Sequence, residues 1–123
     1  MKINRPLKCL AVLALAGFAG SSFAHHGWSW YGDEAFTLTA TVIEKDFGNP
    51  HDRLTVLAEG QEWNLLLSPP ARSRRAGLEA EAIEVGDVIT AFGHRRPDTD
   101  FFEMKTERLQ VRQTLYNLYP SRE

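Results

Sequence analysis

Residues 53–77 read RLTVLAEGQEWNLLLSPPARSRRAG. Leu54, Val56 and Ala58 alternate with Arg53, Thr55 and Leu57, which is the period of a strand buried on one face. Glu59-Gly60-Gln61 supplies a tight turn, and residues 62–67 (EWNLLL) form a strand that returns beside the first. Ser68-Pro69-Pro70 stops the sheet, because proline has no ladder donor. Pro70 can open a helix, so the segment predicts a short helix over 71–76 with Gly77 as its cap.

Upstream, residues 35–47 (AFTLTATVIEKDF) are rich in Thr, Val, Ile and Phe, which favour strands. Phe36, Leu38, Ala40 and Val42 fall on one face and the threonines 37, 39 and 41 on the other. Ile43 breaks the alternation and predicts a bulge near Val42 and Ile43. Gly48-Asn49-Pro50-His51 is a turn cluster. Downstream, Ala82 and Ile83 belong to a connecting turn, and Val85-Gly86-Asp87 turns into a strand over 88–93 (VITAFG). Residues 95–100 are a polar loop, and 102–111 (FEMKTERLQV) form a fifth strand. There Phe102, Met104, Thr106 and Arg108 share one face, and the pattern fails after Thr106, which predicts a bend. The tail 114–120 (TLYNLYP) is expected to pack back onto the sheet. Strand, strand, strand, short helix, strand, strand is an all-β plan, that of a five-stranded OB-like barrel with its helix between strands 3 and 4. A barrel also removes free edges in so short a chain. The alternative is a five-stranded sandwich-like barrel of other topology. The predicted core includes Val42, Leu54, Val56, Leu65, Leu67, Val88, Ile89, Phe92 and Leu109.

The first 24 residues read as a secretory signal. Lys2, Arg5 and Lys8 precede an apolar run over 9–20, and Ser22-Phe23-Ala24 places small side chains where a signal peptidase inspects them. The run is about 12 residues, against the roughly 20 of a membrane-spanning helix. Cleavage after Ala24 leaves an arm over 25–34, a barrel domain over 35–123 and no membrane span, in the periplasm. The single cysteine, Cys9, leaves with the signal, so the mature domain has neither disulfide nor thiol nucleophile. The signal also removes three of the 14 Lys+Arg and none of the 16 Asp+Glu. The remaining acidic balance argues against nucleic acid as a partner.

The order of short motifs resembles an uncharacterised family of small exported bacterial proteins. The matching residues are His25-His26, Ala40-Thr41-Val42, Asn49-Pro50-His51, Trp63, the Pro/Arg/Gly segment 69–77, and residues 85–93. The resemblance implies an OB-like fold and a periplasmic location. It supplies no activity and transfers no catalytic residue.

Processing creates the strongest chemical feature, a chain beginning His25-His26-Gly27. A terminal histidine offers an α-amine and an imidazole to one metal ion. Such nitrogen donors suit Cu(II) first, then Ni(II) or Zn(II). His51 on the Asn-Pro-His turn is the expected further ligand and His94 the second choice, with Asp33 and Glu34 available to complete a shell. The bland reading is that these histidines are exposed arm and turn residues. Trp28, Trp30 and Tyr31 either clamp the arm to the barrel, which burial energetics favour, or offer a platform to a sugar or peptide. Arg72, Arg74 and Arg75 on the helix, with Arg95 and Arg96, either grip a carboxylate or phosphate or form a solvated face; Arg72 and Arg75 are the candidate ligand contacts.

Nothing in the sequence has the form of a nucleophile elbow, a phosphate loop or a His-Glu-x-x-His helix. An enzyme would best be a copper oxidase at His25, and the balance leans away from one. The leading expectation is a periplasmic binding module for a divalent metal, copper first, through His25, His26 and His51. The other is an interaction domain that recognises an envelope protein or glycan through its aromatic arm and barrel face.

Overall fold

A computed structural model describes residues 27–122. The elements run β1 (Ala35–Asp46), β2 (Arg53–Ala58), β3 (Gln61–Leu66), α1 (Pro70–Arg75), β4 (Val88–Arg95), β5 (Glu103–Val111) and β6 (Thr114–Asn117). Single 3₁₀ turns occur at Trp28–Trp30, Ala80–Ala82 and Pro120–Arg122. The sheet order is β3-β2-β1-β4-β5-β6, and a parallel pairing of β3 with β5 closes the first five strands into a barrel. This is the five-stranded OB-like barrel with its helix between β3 and β4 that the sequence predicts. The short β6 was not expected as a strand; it pairs with the end of β5.

β1 is long enough to serve two partners. Its first half pairs with β4 from Ala35 to Thr41, and its second half pairs with β2. The register to β2 skips Ile43, which is the bulge the broken alternation predicts. A second skip falls at Glu107: Phe92 pairs with Arg108 and Gly93 with Thr106. The inward face of β5 therefore changes from Met104 and Thr106 to Leu109 and Val111. That is the bend expected after Thr106. The β2–β3 hairpin turns on Glu59 and Gly60, both at positive φ, the two-residue geometry that twists with the strands. Helix α1 ends on Gly77 at φ +88°, where the Leu78 amide reaches back to the Ser73 carbonyl at 2.9 Å. That reversal drops Leu78 into the core.

Val42, Leu54, Val56, Leu65, Leu67, Ile89 and Leu109 are buried as predicted. Each such side chain contributes about 1.5–3 kcal/mol of transfer free energy. Val88 and Phe92 are not core residues. Val88 is 63% exposed and Phe92 half-buried. On β4 the inward positions are Ile89, Ala91 and Gly93, so Val88 and Phe92 share the opposite face. Gly93 settles that choice of face. A Cβ there would overlap the Lys105 carbonyl oxygen, so only glycine lets β4 and β5 approach at the bulge. The tail packs back as expected, with Leu118 fully buried and Tyr116 and Tyr119 against the core.

Candidate functional site

The outer face of the barrel is buried where β4 and β5 meet the arm. His94, Lys105 and Glu107 belong to this outer layer, yet each is less than a tenth exposed. The arm and the tail cover them. Trp28 packs edge-on against His94 and Tyr119, at ring separations of 5.7 and 4.8 Å. The Lys105 ammonium lies 5.0 Å from the Trp28 ring and 5.5 Å from the Tyr31 ring. Arg122, from the tail, stacks on Trp28 at 4.2 Å. Cations over aromatic faces are an economical way to dry a charged layer.

Backbone bonds hold the arm in place. The Gly32 amide donates to the Arg95 carbonyl at 3.0 Å. His94 Nδ1 lies 2.6 Å from the Gly32 carbonyl, and its Nε2 lies 2.8 Å from Glu107 Oε1. Arg122 Nε donates to the same carboxylate oxygen at 3.0 Å. Both ring nitrogens of His94 therefore face an oxygen, a carbonyl on one side and a carboxylate on the other. His94 thus has both nitrogens engaged, one with the arm at Gly32 and one with Glu107 of β5. The arm forms a 3₁₀ turn over Trp28–Trp30, and the two tryptophans meet different partners. Trp30 packs on Tyr31 at 5.1 Å and under Arg96 at 5.3 Å.

A cleft of about 610 Å³ opens beside this layer. Gly27, Trp30 and Tyr31 of the arm form one wall; Pro50 and His51 of the Asn-Pro-His turn form another. Arg53, Leu66, Arg96, Glu103 and Lys105 of the barrel complete it. Tyr31 is nearly buried and donates its hydroxyl to Glu103 Oε1 at 2.6 Å. Burial first, and the Glu103 bond second, push its phenol well above the usual range. Burial also lowers the Lys105 ammonium, with the nearby Arg122 charge adding to the effect.

The predicted residues divide among separate places. His51, Trp30 and Tyr31 share the cleft with Gly27; His25 and His26 lie outside the described residues. Asp33 and Glu34 line a different groove of about 550 Å³, with Phe36, Leu38, Trp63 and Arg95. Arg72 stacks on Tyr119 at 4.8 Å, and with Arg75 lines a smaller cleft beside the tail. Arg74 faces the turn after β1. The helix arginines therefore do not join Arg95 and Arg96 in one grip. Among the described residues no three His, Cys, Asp or Glu side chains gather as a metal-holding group. Lys105, Glu103 and Glu107 were missed as site residues. In sequence they form the polar side of an alternating strand, and only the aromatic arm nearby signals that this side is covered.

A model for a family of unknown function (DUF6152) matches residues 12–102, and the chain belongs to that family. No curated protein matches. Among solved structures, the chain resembles one from the crystal structure of the S. pombe Stn1-ten1 complex, with 15% identity and a TM-score of 0.51 over 65% of this chain and 59% of that one. It also resembles the ZRD-deleted mutant of TiaS in complex with agmatine, with 16% identity and a TM-score of 0.54 over 73% of this chain and 27% of that one. Likenesses at this identity show the fold alone, and the chain spans less than two thirds of each neighbour's length.

Proposed function

We propose that this family member is an exported, periplasmic binding module whose site is the cleft between arm and barrel, where His25, His26 and His51 hold a divalent metal ion, copper first. One observation carries the reading. Gly27, which directly follows His26 in the chain, lines the same cleft as His51. Gly32 and Tyr31 are fastened to the barrel, which holds the described part of the arm beside that cleft. A free α-amine and imidazole at His25, the His26 ring and the His51 ring supply nitrogen donors of the type Cu(II) takes. His94 is the weaker candidate as ligand, because binding metal through it would break an arm fastening.

Cu(II) titration of protein beginning at His25 tests this, read by visible absorption and electron paramagnetic resonance. Adding one residue before His25 removes the terminal chelate, and His51→Ala removes the barrel ligand. Each is expected to weaken binding at least about tenfold, the scale of one lost strong donor contact. Equal affinity in all three proteins refutes the site.

A second reading has its own support. Phe101 is 50% exposed and Phe102 36%, on the loop between β4 and β5. Arg95 packs against both Trp63 and Phe102, at 5.0 and 4.9 Å, and the two rings meet edge-on at 5.2 Å. Such a loop fits recognition of an envelope protein or glycan, since OB barrels bind oligosaccharides through the corresponding loops.

A further inference from the structure

The cleft carries a charge imbalance that a metal ion does not use. Arg53, Arg96 and Lys105 line it against one carboxylate, Glu103. Glu103 is already engaged: Oε1 accepts from Tyr31, and Oε2 lies 3.7 Å from Arg96. The chain as a whole has a formal net charge of −2, so the cleft is positive against the overall balance. Arg53 and Arg96 line the same cleft beside Tyr31, and both guanidinium charges act on its hydroxyl. Arg96 also keeps its Nε buried with no hydrogen-bond partner among the described residues. An unmade bond from a charged donor is costly. Its guanidinium is set by stacking instead, 3.9 Å from the Phe101 ring. Trp30 and Leu66 add apolar wall, and the volume is that of a small-molecule site.

We propose that the cleft receives a small molecule bearing a carboxylate or phosphate group. Arg53 and Arg96 hold the oxyanion, and the apolar remainder lies against Trp30 and Leu66. The arginine fork matches either anion in two-point geometry. A buried ammonium at Lys105 adds attraction without needing to touch the ligand. This goes beyond the metal reading and does not depend on it, because the anion meets arginines rather than histidines.

The test uses the processed full chain stripped of metal with a chelator, so that failure here is separate from failure of the copper site. Benzoate and inorganic phosphate are titrated separately, read by calorimetry and tryptophan fluorescence at low and high salt. Saturable binding of at least one, weakened by salt, is expected. Arg53→Gln and Arg96→Gln are each expected to weaken it about tenfold or more. Binding of benzoate alone identifies a carboxylate ligand, and of phosphate alone a phosphate ligand; both outcomes support the site. Arg53 is exposed, so its variant leaves folding intact even if Arg96→Gln disturbs the stack. Absence of binding at millimolar probe, or undiminished binding by Arg53→Gln, overturns the proposal. Tighter binding of a single-stranded oligonucleotide than of either small anion overturns it as well.

Discussion

Leu54, Leu65 and Leu109 are sealed inside the barrel among other hydrocarbon. On the outer side, His94, Lys105 and Glu107 are almost as well covered, by the arm and the tail. The two regions are dry for different reasons. In the interior the transfer of apolar surface drives burial and no bond has to be matched. Under the arm, burying a polar group costs free energy unless a partner replaces water. The Glu107 carboxylate serves His94 and Arg122, Tyr31 serves Glu103, and the Lys105 ammonium lies between two rings. A defect should therefore spread through the whole molecule in the first region and stay local in the second.

The sharpest contrast comes from Leu65→Ala. Leu65 is fully buried on β3, between the β2 ladder and the closing contact with Met104 on β5. Truncation leaves a cavity where barrel closure is made. A loss of about 2–5 kcal/mol is expected in urea unfolding. Amide exchange should rise in barrel and arm alike, since the arm has nothing to dock on once the barrel opens. Faster exchange confined to the arm would contradict the division drawn above.

Glu107→Leu tests the other side. The substitution leaves the His94 and Arg122 donors without their shared acceptor. A cost of about 1–3 kcal/mol is expected for groups stranded this way. The effect should appear first at the Gly32 amide, which bonds Arg95, while strand amides of β2 and β3 keep their protection. Unchanged exchange at Gly32 would show that the arm does not rely on this carboxylate.

The same contrast explains what was legible in the sequence. The interior announces itself by period: Leu54 and Val56 sit two apart with Arg53 and Thr55 on the other face, Leu65 follows Trp63 in the same way, and both bulges break that period at Ile43 and after Thr106. Residues 88–92 (VITAF) are apolar on both faces, so period alone could not separate Ile89 and Ala91 from Val88 and Phe92. The close approach at Gly93 decides it, and that is a contact between strands distant in sequence. β6 escaped because its four residues, 114–117 (TLYN), carry little period before Leu118 and Pro120. The layer under the arm escaped for a deeper reason. Lys105 and Glu107 have the pattern of a solvated strand face, and nothing local says that Trp28 and Tyr31 will lie over them. The aromatic arm was recognised as a clamp. Which charges it clamps depends on the fold.

The smallest effect expected concerns Tyr31, and it depends on pH. Tyr31→Phe keeps the ring over Lys105 and removes one hydrogen bond to Glu103, at a cost of about 1 kcal/mol near neutrality. In the folded protein burial holds the Tyr31 phenol neutral to higher pH than in the unfolded chain, where tyrosine ionises near ~10. A group raised in this way gives its full stability below the unfolded value and loses it as pH climbs above. Lys105 acts in the opposite sense, because burial lowers its ammonium. The folded state then gains on the unfolded one as pH rises toward the ordinary lysine range. Thermal unfolding followed from neutrality to strongly alkaline pH should therefore fall more steeply above about pH 10 in the wild type than in Tyr31→Phe. Parallel curves would mean that the phenol ionises as readily in the folded protein as outside it, and that the arm does not exclude water from Tyr31.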